Sequence, residues 1–150
     1  MFDGGVHLIA SLSKVFGAPT TVSATGQRLR PDYGEYDQVT MLFQYANGAS
    51  GMLSHSSYLP PLKNYFYIHG ETGVIMVEPN RLVVEKPGQP NRVIDLPTEN
   101  AYVNMWQALR DAWQAAREPY YTVQKALQDV AILEMVDRSI TTGQRMRLGD

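Results

Sequence analysis

The chain has 150 residues, 44% of them hydrophobic and 19% charged, with a formal net charge of −2 and no cysteine. Such a composition describes a folded domain of ordinary size with its own core. It excludes disulfides, thiol nucleophiles and cysteine metal sites, offers no basic surplus for nucleic acid or an anionic membrane, and contains no apolar run long enough to span a bilayer. Met1-Phe2-Asp3-Gly4-Gly5 lacks the layout of a signal peptide, so a cytoplasmic location is expected by default.

The first seventeen residues predict an amphipathic helix. Leu8, Ile9, Leu12, Val15 and Phe16 fall at i, i+1, i+4, i+7 and i+8, one helical stripe. Gly17 suits the left-handed position that ends a helix, and Pro19 prevents continuation. At about 100° per residue, Asp3, His7, Ala10 and Lys14 gather on the opposite side. Asp3 and His7 are i and i+4, which makes their side chains neighbours, and Asp3 stands where the helix dipole favours a carboxylate. Gly4 and Gly5 are poor helix formers, a sign that something approaches the backbone closely there.

A run of strands follows. Thr20–Gln27 is rich in β-branched and small residues, and a polar loop carries the chain to Asp37. Val39, Met41, Phe43 and Tyr45 then alternate with Thr40, Leu42 and Gln44, the period of a strand. Asn47-Gly48 marks a hairpin, with a return strand from about Ala49 to Tyr58. Further strands are read at Asn64–His69, Val74–Val77, Leu82–Lys86 and Arg92–Leu96, joined by turns too short for parallel crossovers.

The chain then turns helical. Tyr102, Met105, Trp106, Leu109, Ala112, Trp113 and Ala116 form one wide apolar face, read as core, and Pro119 ends the helix. Thr122 caps the next helix, whose apolar positions are Ala126, Leu127, Val130, Leu133, Val136 and Ile140; Gly143 closes it, and Arg145–Leu148 suits a short last strand. Segregated elements of this kind define one α+β domain over residues 1–150: an open, mainly antiparallel β-sheet with helices packed on one face. The other face must meet solvent or a partner.

At Asp3-Gly4-Gly5-Val6-His7-Leu8-Ile9 the sequence resembles the start of the C-terminal domain of the Gfo/Idh/MocA oxidoreductases (glucose–fructose oxidoreductase, inositol dehydrogenase, rhizopine catabolism). Phe43–Ala49, with its Asn-Gly hairpin, looks like the family's strand and turn. Ile68–Gly73 looks like its glycine-marked turn, and Ala126–Glu134 with Arg138-Ser139 and Thr142-Gly143 looks like its closing helix. The resemblance implies the substrate-binding and oligomerisation domain of an enzyme that uses NAD or NADP on a sugar, cyclitol or related alcohol or carbonyl. It maps the family's D-x-x-x-H pair onto Asp3 and His7, with His7 as general acid/base and Asp3 orienting it. The chemistry is coherent, because hydride leaves carbon only as the oxygen loses its proton, and imidazole can carry that proton near neutral pH.

Two departures qualify what the family implies. Ala10 stands where many members carry an acid three residues after the histidine. No G-x-G-x-x-G follows a strand, so the dinucleotide-binding domain and its catalytic lysine are expected outside these residues. Glu85-Lys86-Pro87 spells the family's lysine triplet, but it lies downstream of His7 at the end of an antiparallel strand and is read as a coincidence. The isolated chain is therefore expected to bind no cofactor and to lack dehydrogenase activity. It is expected to form homo-oligomers through the open sheet face, with no nucleic-acid, membrane or metal partner.

The rival reading is a free-standing dimerisation or interaction module of the same fold, in which Asp3 and His7 are an ordinary polar helix face. A lone ligand-binding domain fits less well, because half a pocket opened to water loses its concavity. His55 and His69 sit in strands without acids at ligand spacing and read as structural or edge residues. Tyr33, Tyr36 and Lys63 read as loop residues at the surface that could touch substrate, and Asn64–Ile68 as core or as half core, half interface.

Overall fold

The computed structural model describes residues 2–32, 34–57, 66–97 and 100–149, with side chains from Gly5 onward. Tyr33, Lys63, the first two residues of Asn64–Ile68 and the side chain of Asp3 lie outside the described part. Among the described residues the fold is α+β, with eight strands in two open antiparallel sheets and three helices. Two compact units emerge: residues 1–59 with 121–150, and residues 60–120.

In the first unit the sheet order is β3-β2-β1-β8, built from β1 (Thr21–Gln27), β2 (Gln38–Gln44), β3 (Ser50–Ser56) and β8 (Met146–Arg147). The alternation in β2 is realised as expected: Val39, Met41 and Phe43 are buried, and Tyr45 continues the row. The β2–β3 turn shows why Asn47-Gly48 works. Gly48 donates its N–H to the Tyr45 carbonyl at 3.0 Å, Tyr45 donates to the Ala49 carbonyl at 2.9 Å, and Gly48 takes the left-handed φ of 86°. The result is a three-residue loop closed by a glycine bulge.

Helix α3 (Val123–Thr142) covers the core side of this sheet, and α1 (Phe2–Phe16) packs on α3. Thr122 caps α3 through the Lys125 N–H, and Gly143, at φ 68°, ends it. The buried face of α3 is rotated from the expected stripe. Leu127 and Val130 are exposed, whereas Ile132, Leu133, Met135 and Val136 share the core with Asp129 and Ser139. Two hydrogen-bonded polar residues occupy that face, so hydrophobicity alone points to the wrong side. In α1 the packed row is Val6, Ile9, Leu12 and Phe16, spaced i, i+3, i+6 and i+10. Val15, expected in the stripe, is exposed, because one helix neighbour covers only a narrow seam. The Phe16 and Tyr45 rings meet with centroids 5.4 Å apart, tying the end of α1 to the β2 turn.

The second unit holds a meander, β4-β5-β6-β7 (Phe66–Gly70, Gly73–Glu78, Arg81–Glu85, Arg92–Asp95). Gly73 lets β5 and β6 approach, since a Cβ there would overlap the Glu85 carbonyl oxygen. Helix α2 (Ala101–Gln114) starts at Asn100, whose side chain accepts from the Tyr102 N–H at 2.9 Å. It ends five residues before Pro119, the expected stop. Ala116 adopts φ 49°, donates to the Trp113 carbonyl at 3.0 Å, and Arg117 donates to the Ala112 carbonyl at 3.0 Å, a complete Schellman closure on alanine. The stripe expected in the core is not there. Trp106 and Trp113 are 63% and 83% exposed, and Ala112 is the one buried residue described in this helix.

Candidate functional site on the outer face of the first helix

His7 stands on α1 on the side away from Ile9 and Leu12, and it is exposed. Its carbonyl accepts a hydrogen bond from Ser11 Oγ at 2.8 Å. Asp3 lies one turn earlier in the same helix. Gly5, between them in sequence, is buried, so its missing side chain suits the packed side of α1. The imidazole thus stands exposed on the outer face of a helix anchored by Val6, Ile9, Leu12 and Phe16.

The other histidines behave as structural residues. His55 in β3 is half-buried, burial depresses its pKa, and Nε2 lies 3.4 Å from Ser57 Oγ. His69 is exposed at the end of β4 and stacks beside Tyr67 with ring centroids 6.4 Å apart. Tyr36 is not a surface residue. It packs on the core, and its ring fills the space that a Cβ at Gly26 would need. Glu85 of the rejected triplet ends β6 and accepts from Asn91 Nδ2 at 2.9 Å, a turn contact.

Three buried polar residues escaped the reading of the sequence. Asp37 receives the backbone N–H groups of Leu29 and Arg30 on its carboxylate, which folds the 28–37 loop back on itself. Asp129 accepts from the Tyr121 hydroxyl at 2.6 Å. Burial, together with that hydrogen bond and the Asp129 charge, pushes the Tyr121 phenol up to about 12. Ser139 links α3 to β1 and to the Gln144 carbonyl. Each is satisfied within the fold and holds it together. A signal existed for Ser139, a small hydroxyl residue in an otherwise apolar helix row. None existed for the aspartates, whose burial depends on the backbone that folds around them.

A groove of about 210 Å³ opens at the edge of β1, bounded by Ser23, Thr40, Leu42, Ser139 and Arg145, with no residue of α1 in its wall. No group of three His, Cys, Asp or Glu suited to a metal occurs among the described residues. No helix among them is long and apolar enough to cross a membrane.

The fold defines the class: an α+β domain of open antiparallel sheets and helices. Residues 1–76 match the GFO/IDH/MocA C-terminal domain, and the chain belongs to that family. Among solved structures it is similar to an oxidoreductase from Agrobacterium radiobacter in complex with NAD+, L-tartaric acid and magnesium (21% identity, 98% of this chain and 48% of that one, TM-score 0.85). It is similar as well to an oxidoreductase from Thermotoga maritima (26% identity, 97% and 43%, TM-score 0.83). A third is a levoglucosan dehydrogenase in complex with NADH and levoglucosan (17% identity, 99% and 50%, TM-score 0.86). The chain spans about half the length of these proteins. No curated protein matches it in sequence.

Proposed function

We propose that this chain is the substrate-binding and oligomerisation domain of an NAD(P)-dependent oxidoreductase acting on a sugar, cyclitol or related alcohol or carbonyl. The observation that carries the reading is His7, exposed on the outer face of α1 inside the stretch that matches the family. In this reading the His7 imidazole takes the proton from the substrate hydroxyl in oxidation and returns it in reduction. Asp3, one turn earlier, orients the ring or shares its charge. The sugar-like and NAD-bound character of the structural neighbours supports the substrate and cofactor classes.

The residues of this chain do not fit a dinucleotide. They contain no G-x-G-x-x-G, and every strand pair among the described residues is antiparallel, whereas the pyrophosphate cradle of that fingerprint opens a βαβ unit. The cofactor therefore belongs to a separate domain, and this chain supplies the substrate side and the proton. For oligomerisation, the face of the first sheet turned from α3 carries Leu42 and Met52 as cross-strand neighbours, 54% and 72% exposed. They sit among Thr40 and Ser54, a surface suited to a second copy.

The test joins this chain to a dinucleotide-binding domain and follows NAD(P)H formation over a panel of sugars and polyols. His7→Ala is expected to lower kcat by about 10²–10⁴-fold, the usual worth of a general base. An unchanged rate removes His7 from the chemistry. The alternative, a non-catalytic interaction module, draws on the same Leu42 and Met52 face. It predicts self-association that Met52→Lys abolishes and no turnover in any joined form.

A further inference from the structure

The turn between β2 and β3 carries a reactive pair. Asn47 alone among the asparagines of the chain is followed by glycine. A backbone nitrogen attacks the preceding side-chain carbonyl most readily where no Cβ crowds its approach, and glycine has none. Asn47 and Gly48 are both exposed, so water reaches the pair.

The closed turn engages both reacting groups elsewhere. The Gly48 N–H, whose nitrogen is the nucleophile, donates to the Tyr45 carbonyl at 3.0 Å, which holds its proton in place. Asn47 Oδ1, on the carbon to be attacked, accepts from the Ala49 N–H at 3.0 Å, which pins the side-chain amide. A third bond, from the Tyr45 N–H to the Ala49 carbonyl at 2.9 Å, closes the loop. Tyr45 anchors this arrangement. It is buried, and its ring meets that of Phe16, the last residue of α1. Every one of these groups belongs to the first unit, so the lock is built within it.

We propose that Asn47 is a self-modification site gated by this turn. When the turn opens, the Gly48 nitrogen gives its proton to hydroxide and forms a bond to Asn47 Cγ. The bond from Cγ to Nδ2 breaks, and ammonia leaves. Water then opens the cyclic imide at either carbonyl, which leaves an aspartate or an isoaspartate at position 47. The isoaspartate places an extra methylene in the main chain of the three-residue loop, so the Tyr45 N–H and the Ala49 carbonyl no longer stand opposite one another. A passing release of the Phe16–Tyr45 contact thus becomes a permanent change in the hairpin that carries Leu42 and Met52.

Peptide mapping by mass spectrometry tests it by following amide-to-acid conversion at each asparagine at mildly alkaline pH, in the folded chain and in the chain unfolded in urea. Asn47 is expected to convert ahead of every other asparagine in both. In the folded chain it should convert about tenfold or more slowly, because each event waits for a local opening. Exchange protection of the Gly48 amide should match that slowing, since the same opening exposes both. Phe16→Ala, with native exchange retained in β1, is expected to raise the folded rate by about threefold or more. An unfolded chain that shows no preference for Asn47 overturns the site. Equal rates in the folded and unfolded chains overturn the gate, and this comparison decides even where Phe16→Ala does not fold. A folded Phe16→Ala variant with an unmoved rate overturns the coupling to α1.

Discussion

The hydroxyl of Ser139, on α3, accepts a 2.9 Å hydrogen bond from the backbone N–H of Ala24 in β1 and donates at 2.6 Å to the Gln144 carbonyl. Strand β8 pairs with β1 only at Thr21 and Val22, so Ala24, two residues on, is the next position on that edge. One buried side chain thus completes the edge that the short strand leaves open. Ser139→Ala strands a buried donor and is expected to cost about 1–3 kcal/mol. A urea unfolding curve with an unmoved midpoint would show that water replaces the hydroxyl.

Asp37 organises the 28–37 loop by accepting from the N–H groups of Leu29 and Arg30, while its own N–H reaches the Gln27 carbonyl at 3.0 Å. Asp37→Ala removes every one of the side-chain acceptors and is expected to cost about 2–4 kcal/mol, since hydrogen bonds to a charged group are the stronger kind. Asp37→Asn keeps one acceptor oxygen and should fall between. Tryptic cleavage after Arg28 reports the loop directly, and both variants should cleave faster there than the parent.

Gly73 is required by contact rather than by φ, because a Cβ would overlap the Glu85 carbonyl. Gly73→Ala must push β5 from β6, at a cost of about 1–3 kcal/mol, typical of overpacking. Backbone amides from Val74 to Val84 should lose exchange protection while those of β1 and β2 keep theirs. Equal loss in both sheets would mean that the two units unfold as one.

Tyr121 is held neutral by burial and by its bond to Asp129, with its phenol raised to about 12 from the ordinary value near 10. The native state therefore keeps a proton that the unfolded state releases. The linked stability is complete below about pH 10 and is lost as pH climbs from 10 through 12. Absorbance at 295 nm should show Tyr121 lagging together with the buried Tyr45, whose phenol burial also raises, behind the rest of the nine tyrosines, and Tyr121→Phe should remove one tyrosine from the lagging phase. A parent titration without a lagging tyrosine would exclude the shift.

Local chemistry was the legible part. The period of Val39, Met41, Phe43 and Tyr45, the left-handed glycines 17 and 143, the Thr122 cap and the Asn47-Gly48 turn are all decided by a few neighbouring residues. Faces decided by distant partners were misread. Val15 and Val130 look as apolar as Ile9 and Val136, yet only the latter pair meets the core. Trp106 and Trp113 read as core because hydrophobicity marks a wish to be covered, not what does the covering. Helical spacing alone set His7 on the outward side of α1, where its imidazole is exposed. The part proposed for it in a reaction comes from the family pattern, because periodicity supplies a direction and not a substrate.

The first sheet and its covering helix stand far apart in chain order, with a whole second sheet encoded between β3 and α3. During synthesis, at roughly 5–20 residues per second, the apolar side formed by Val22, Met41 and Phe43 emerges early and waits for Ile132, Leu133 and Val136 to arrive. The β4–β7 meander, made from neighbours, faces no such delay. A nascent chain halted at Arg117 is thus expected to be sticky and chaperone-bound, and release of residues 121–149 is the event that makes it soluble. Expression of the 1–117 fragment measures this directly, and a soluble, monomeric product would contradict it.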